Sequence, residues 1–151
     1  MFGDFCAQEK HLPSVSSFSG RNRQSVLHGD INCGNFCLDR HLNIKLSDFV
    51  GSSINGSPAM VCYSASHQLP ENRPSTSNGI MISEKTQIFA FSSTLYEMVT
   101  GDKPYSGKDD SEIEDLYRHN IFSDVTGLGP LGPVIIRCWI SDFGMEVCVI
   151  G

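Results

Sequence analysis

The residues best suited to chemistry lie in the segment HGDINCGN (28–35) and in the nearby tripeptide SDF (47–49). Phosphoryl transfer needs a carboxylate near the attacking hydroxyl and oxygen ligands for Mg²⁺, held at a fixed separation. Asp30 can provide the first carboxylate, and Asn35 and Asp48 can provide the amide and carboxylate oxygens. We therefore predict that Asp30 and Asn35 are catalytic, and that Asn35 and Asp48 bind the metal.

A short β-hairpin is predicted between these two segments and would hold them together. The letters FCL (36–38) and IKL (44–46) flank a polar turn, which is typical of two short antiparallel strands. The next stretch, residues 47–79, is rich in Ser, Gly, Asn and Pro, which predicts a long irregular loop. Its Tyr63 and nearby serines are expected to be solvated loop residues.

The strongest helical pattern follows that loop. The sequence TQIFAFSSTLYEMVT (86–100) is apolar or small around most of the helix circumference, and Gly101 follows it. Such a pattern predicts a helix that is buried in the domain centre and ends at the glycine.

Two further helices are predicted in the C-terminal third of the chain. Ser111 and Glu114 match a capping box for a short helix that ends near His119. The apolar run VIIRCWI (134–140) predicts the last helix. Between them, residues 125–133 contain G-x-G-x-x-G, which we interpret as an inter-helix loop because no strand leads into it. The fold class is therefore mainly α with a small β-hairpin.

Composition narrows the range of functions. The 151-residue chain has a formal net charge of −6, which argues against binding to nucleic acid or to an anionic membrane. Its N-terminus has no signal-peptide pattern, and no apolar run approaches the roughly 20 residues of a membrane span. These features predict a cytoplasmic or nuclear protein whose six cysteines are reduced thiols. The oligomeric state is not indicated.

Two clusters of potential ligands have simpler interpretations. The acidic residues between 102 and 115 are expected to form a solvated helix face. Cys33, Cys37 and His41 are spaced four apart, which on a helix would suit a metal site. The strand pattern of this region argues against a helix, so we interpret the cysteines as buried thiols.

Several motifs, in order, resemble those of the eukaryotic protein kinase family. The H-x-D-x-x-x-x-N pattern (28–35) and D-F-x (48–50) resemble its catalytic and metal loops, and LPE (69–71) resembles the end of its activation segment. The segment 87–105 resembles the buried central helix and its following turn. The resemblance implies an incomplete kinase-like C-terminal lobe over residues 26–151, after a poorly patterned segment, 1–25.

The resemblance also implies a function and a set of partners. It implies ATP-dependent phosphoryl transfer to a protein, with Ser/Thr a better match than Tyr, and with Mg²⁺ and ATP as cofactors. Asp30 falls on the family's catalytic aspartate, Asn35 on its metal-binding asparagine and Asp48 on its metal-binding aspartate. A protein substrate or protein partner is therefore expected.

This sequence departs from the family at several positions. The usual Arg beside the catalytic Asp is Gly29, and Val50 replaces the usual Gly of the metal motif. The Asp that normally ties the central helix to the catalytic loop is Gln87, a neutral and longer group. No glycine-rich hairpin or strand lysine precedes Asp30, so the N-terminal lobe is expected to be absent and the isolated chain to be inactive.

Two other functions remain open from the sequence. One is a non-catalytic, pseudokinase-like interaction module. The other is a small-molecule phosphotransferase of the aminoglycoside type, since such enzymes share the HGDxxxxN pattern. The LPE motif (69–71) and the helix after it argue against the second alternative.

Overall fold

The computed structural model describes residues 24–60, 63–70 and 82–140. Nearly all of the N-terminal segment, the glutamate of the LPE motif and the last 11 residues lie outside this part of the chain. The described residues are mostly helical with short antiparallel strands, which confirms the predicted fold class. None of their helices combines the length and the apolar character needed to cross a membrane.

Within the described ranges, four short strands form two separate antiparallel pairs. They are β1 (Val26–Leu27), β2 (Phe36–Leu38), β3 (Ile44–Leu46) and β4 (Ser53–Ile54). The β2–β3 pair confirms the predicted hairpin, with Phe36 opposite Leu46. The β1–β4 pair was not predicted, because strands of two residues are too short to show an alternating pattern.

Three α-helices and three single-turn 3₁₀ helices make up the rest of the regular structure that is described. The α-helices are α1 (Glu84–Thr100), α2 (Asp110–Arg118) and α3 (Leu131–Trp139). The 3₁₀ helices are Cys33–Asn35, Ala65–His67 and Thr126–Leu128.

The central helix α1 begins two residues before the predicted start. Ser83 and Thr86 form a capping box in which each side chain accepts a hydrogen bond from the other residue's backbone N–H. Gly101 ends the helix as predicted, with a left-handed φ of 84° that glycine adopts at little cost. The expectation of burial all round is only partly right, since Phe91 is 43% exposed and Met98 is 47% exposed.

The start of α2 corrects a prediction. Asp109, and not Ser111, is the N-cap, because its carboxylate accepts a hydrogen bond from the backbone N–H of Glu112 at 2.8 Å. The Ser111 hydroxyl donates to that same carboxylate. The acidic face of α2 is not fully solvated either, because Glu114 is buried and accepts a hydrogen bond from Arg118 at 3.4 Å.

The last helix, α3, begins three residues before the predicted start. Its first turn includes Gly132 and Pro133, which had been assigned to the preceding loop. Proline is compatible with a first turn because its N–H would have no intrahelical partner there. The G-x-G-x-x-G letters therefore span a 3₁₀ turn and a helix start, and no strand leads into them.

Two apolar clusters lie on α1 and set its position under the chemistry-bearing loops. The larger cluster joins α1, α2 and α3, and its buried members are Ala65, Phe89, Ile113, Tyr117, Ile135 and Trp139. The smaller cluster consists of Ile31, Tyr63 and Ala90. Because Ile31 follows Asp30 directly, packing on α1 anchors the segment that carries the candidate catalytic residue.

Candidate phosphotransfer site

His28 connects the two loops that carry the candidate site. Its Nε2 lies 2.7 Å from the backbone oxygen of Ser47, and its Nδ1 lies 3.2 Å from the backbone nitrogen of Asp30. A carbonyl oxygen can only accept, so Nε2 carries the proton and Nδ1 accepts from the Asp30 N–H. The His28 ring is buried, and the Phe49 ring packs against it in an edge-to-face arrangement at a centroid distance of 4.7 Å.

The structure brings Asp30 and Asn35 into direct contact. Asn35 Nδ2 donates to the backbone oxygen of Asp30 at 2.7 Å and to its carboxylate Oδ2 at 3.1 Å. Asn32 Nδ2 donates to the other carboxylate oxygen, Oδ1, at 2.9 Å. The carboxylate is therefore held in one orientation by two amides and is only half-buried.

Asp48 is joined to Asn35 through the residue before it. The backbone N–H of Ser47 donates to the backbone oxygen of Asn35 at 2.8 Å, and the Ser47 hydroxyl donates to the same oxygen at 3.0 Å. Asp48 is exposed and has a left-handed φ of 60°, a strained conformation that Asp tolerates better than most residues. Its carboxylate makes no hydrogen bond with the described residues.

The backbone conformation is known at two positions where the sequence departs from the kinase pattern, Gly29 and Val50. Gly29 has a φ of 83°, a conformation in which a residue with a Cβ would be strained. Val50 is not among the described residues with a positive φ, and the left-handed conformation falls on Gly51 instead, at 88°. The metal loop thus turns at the residue after Val50, so the Cβ of Val50 does not obstruct the turn.

Gln87 connects α1 to the candidate catalytic loop, although it replaces the Asp that usually makes this connection. Its Oε1 accepts a hydrogen bond from the backbone N–H of His28 at 2.9 Å and lies 3.5 Å from the backbone nitrogen of Gly29. Its Nε2 donates to the hydroxyl of Tyr63. The central helix is therefore tied to the candidate catalytic loop by an amide where the family's tie is a carboxylate.

The side-chain oxygens of Asn35 and Asp48 are ligands of the type that Mg²⁺ prefers. Asn35 uses Nδ2 toward Asp30, so its amide oxygen Oδ1 and the Asp48 carboxylate remain as hard ligands of the kind Mg²⁺ prefers. No group of three or more His, Cys, Asp or Glu side chains in the described ranges could hold a metal ion by itself. Mg²⁺ commonly takes one or two protein ligands and completes its shell with water and phosphate, so the chemistry of this pair is compatible with the ion.

The four-residue spacing of Cys33, Cys37 and His41 does not form a metal site. Cys33 lies in a 3₁₀ turn and Cys37 lies in β2, so no helix aligns them. Burial, together with the nearby Glu97, raises the pKa of Cys33 to about 11, so it remains a thiol at neutral pH. Both cysteines are half-buried and form no disulfide.

The Ala65–His67 turn carries a second buried polar pair. His67 is 1% exposed, and its Nε2 lies 3.5 Å from Glu97 Oε2 on α1. Neither atom has a hydrogen-bond partner among the described residues. Burial lowers the pKa of His67 to about 4, with Lys103 acting in the same direction, so His67 is neutral at pH 7.

Sequence reasoning missed two contributors to this site. Tyr63 was expected to be a solvated loop residue, but it is buried against Ile31 and Ala90. The Ser52 hydroxyl donates to the backbone oxygen of His28 at 3.0 Å, a contact that no motif indicates. The signal for Tyr63 was present in its type, since a large aromatic residue in a polar loop is a candidate for burial.

A protein-family model described as protein tyrosine and serine/threonine kinase matches residues 21–144. A probable serine/threonine-protein kinase of Dictyostelium discoideum is 33% identical over 120 residues, covering 78% of this chain and 13% of that protein. A dual specificity protein kinase of the same organism is 29% identical over 148 residues, covering 94% of this chain and 10% of the relative.

A mouse protein, testis-specific serine/threonine-protein kinase 2, is 38% identical over 102 residues. That match covers 62% of this chain and 26% of the mouse protein. The chain therefore spans only a minor part of each of these relatives.

Proposed function

The chain belongs to the protein tyrosine and serine/threonine kinase family, and we propose that it supplies the catalytic-loop and metal-loop half of an ATP-dependent phosphoryl transfer to a protein hydroxyl. The observation that carries this proposal is the cross-link through His28, whose two ring nitrogens bond to the backbone of Asp30 and of Ser47. One buried ring thereby fixes the position of Asp30 relative to Asp48.

Asp30 orients the substrate hydroxyl and accepts its proton. Asn32 and Asn35 each donate to one oxygen of its carboxylate, so the second lone pair of each oxygen remains for the substrate. Asn35 Oδ1 and Asp48 would hold Mg²⁺, which would supply positive charge to neutralise the nucleotide phosphates. Most of the catalytic effect in such a site comes from positioning, which is what these hydrogen bonds provide.

We propose a Ser or Thr hydroxyl on a protein as the acceptor. Two of the three relatives described above are named serine/threonine-protein kinases, and the third is named a dual specificity protein kinase. These names favour a protein acceptor over an aminoglycoside-type small molecule.

The metal part of this proposal can be tested with Mn²⁺ in place of Mg²⁺. Mn²⁺ added with ATP should broaden the backbone NMR signals near Asn35 and Asp48, because both would lie close to the paramagnetic ion. Asp48→Asn should abolish the broadening, and Asp102→Asn, which removes an exposed carboxylate outside the site, should leave it intact. Broadening that survives Asp48→Asn would show that the ion binds elsewhere.

The catalytic part needs a separate assay. We expect no transfer from Mg²⁺-ATP by a polypeptide of these 151 residues alone, because its sequence has no glycine-rich hairpin or strand lysine ahead of Asp30. A longer protein that includes an ATP-binding lobe should phosphorylate a Ser/Thr peptide and lose at least about 100-fold in kcat on Asp30→Asn. Equal activity of that variant would refute the role of Asp30.

A non-catalytic interaction module is the second candidate. The observation that favours it is the exposure of large apolar side chains around the site, with Leu38 64%, Ile44 64% and Val50 82% exposed. Exposed apolar surface commonly marks a protein contact. A failure of Mn²⁺ with ATP to perturb Asn35 and Asp48, in a chain that is folded, would favour this candidate over phosphoryl transfer.

A further inference from the structure

The hydroxyl of Tyr63 is hydrogen-bonded to the side-chain amide of Gln87. Its ring packs against Ile31, the residue that follows Asp30. Tyr63 is 6% exposed, and its ring packs with Ile31 and Ala90. Burial raises the pKa of its hydroxyl above the usual value, so the group is a neutral phenol. It therefore has one proton to donate and lone pairs to accept with.

The contacts of Gln87 determine which way its amide points. The backbone N–H groups of His28 and Gly29 face one end of the amide, so that end must be the oxygen. The other end is then the NH₂ group, and it donates to the Tyr63 hydroxyl. The reversed amide would place two donors, the NH₂ group and the His28 N–H, against each other.

Tyr63 is able to accept because the oxygen of a neutral phenol keeps lone pairs beside its own O–H. Donation thus runs in one direction, from the His28 N–H to Gln87 and from Gln87 to Tyr63.

We propose that Tyr63 is a positioning residue for Asp30 that acts by orienting the amide of Gln87. A carboxylate at position 87 would accept from His28 in either orientation, whereas an amide is useful in only one. Gln87 therefore needs a partner at its nitrogen end, and Tyr63 supplies the acceptor. The catalytic meaning of this role rests on the function proposed above, but the hydrogen-bond chain exists independently of it.

This series of hydrogen bonds also links two segments that are distant in the sequence. Tyr63 lies six residues before Leu69, in the stretch that leads to the LPE motif, and His28 lies two residues before Asp30. A displacement of the segment around Tyr63 would remove the acceptor from Gln87 and loosen the N–H of His28. The position of the Tyr63 segment thereby determines how firmly the loop that carries Asp30 is held by hydrogen bonds.

Hydrogen exchange of the full 151-residue chain, followed by NMR, tests the proposal without an activity assay. Tyr63→Phe keeps the packed ring and removes only the acceptor, so the His28 amide should exchange about five- to tenfold faster relative to the amides of α1. Tyr117→Phe is the matched control, because it also removes a buried hydroxyl, one that donates to Ser66. It should leave the ratio between His28 and α1 unchanged.

A second pair of variants, made in a chain that carries Gln87→Glu, separates the orienting effect of Tyr63 on the Gln87 amide from its effect on core packing. In a Gln87→Glu chain, the carboxylate accepts from His28 without help, so adding Tyr63→Phe should accelerate His28 exchange by less than about twofold. A merely structural role of Tyr63 would produce the same acceleration in both backgrounds, and that result would overturn the proposal.

The unmodified chain provides a further check that does not depend on any variant folding. One side-chain N–H proton of Gln87 should exchange slowly, because it is hydrogen-bonded to Tyr63 inside the protein. Rapid exchange of both protons at the solvent rate would contradict the proposal. Failure of the Mn²⁺ and kinase assays with slow exchange retained would instead count against the function alone.

Discussion

Asn35 Nδ2 lies 2.7 Å from the backbone oxygen of Asp30 and 3.1 Å from its carboxylate Oδ2. One amide group therefore closes the loop between the two residues and orients the carboxylate at the same time. Because the nitrogen is used in this way, the amide oxygen of Asn35 is the atom left for a cation. The relationship explains why an amide, and not a second carboxylate, suits this position.

The first prediction concerns that relationship. Asn35→Asp should destabilise the protein at pH 7 by about 1 kcal/mol more than Asn35→Ala, because it sets a second negative charge against Asp30. The difference should shrink as the pH falls toward about 4, where carboxylates take up protons. Urea unfolding of both variants between pH 7 and pH 4 measures it, and a gap that does not change with pH would contradict the explanation.

The second prediction concerns pH and His67. The pKa of this histidine is lowered to about 4 in the folded protein and is about 6.5 in an unfolded chain. Between these values the unfolded state binds a proton that the folded state does not, so the free energy of unfolding falls as the pH falls from about 6.5 to about 4. The loss can reach about 3 kcal/mol from this group.

The charged groups that face His67 come from three elements: Glu97 from α1, Lys103 from the turn after α1, and Asp30 from the candidate catalytic loop. His67→Phe should flatten the fall in unfolding free energy below pH 6.5, whereas His41→Asn, at an exposed turn position, should retain it. Denaturant unfolding at several pH values provides the comparison. A slope that is unchanged in His67→Phe would assign the pH dependence to other groups.

The third prediction concerns the packing of Gly132 in the first turn of α3. A Cβ at this position would lie 2.5 Å from the backbone oxygen of Val125. Gly132→Ala should therefore cost about 1–3 kcal/mol of unfolding free energy, even though alanine favours helix formation. Gly127→Ala is the control, since nothing lies within 4 Å of a Cβ there, and its effect should stay within about 0.5 kcal/mol. Equal effects would contradict the close approach.

The fourth prediction concerns the buried indole of Trp139. Its Nε1 donates to the hydroxyl of Ser93 at 2.9 Å, and both residues are buried. Ser93→Ala would leave the indole N–H without an acceptor and should cost about 1–3 kcal/mol of unfolding free energy. The hydroxyl of Ser92 is a donor to Phe89, so Ser92→Ala leaves no donor unpaired and should cost less. Thermal unfolding of the two variants decides between them.

Local patterns were sufficient to predict the elements that depend on neighbouring residues. The β2–β3 hairpin follows from two apolar triplets around a polar turn, and the end of α1 follows from Gly101. The predicted start of α2 was wrong. Asp109 and Ser111 are both residue types that often form N-caps, and only the backbone geometry selects between them. Boundaries of this kind depend on small energy differences that the sequence pattern does not resolve.

The sequence by itself determined the family and predicted the chemistry-bearing residues, because the order and spacing of HGDINCGN, SDF and LPE do not depend on how the chain folds. Only the tertiary structure decided how Gln87 and Tyr63 contribute. These residues are 59 and 35 positions from His28 along the chain, and they meet its loop only because α1 packs beneath it. Hydrogen bonds between distant segments need both partners placed within about 3 Å. That placement comes from core packing, which no local motif encodes.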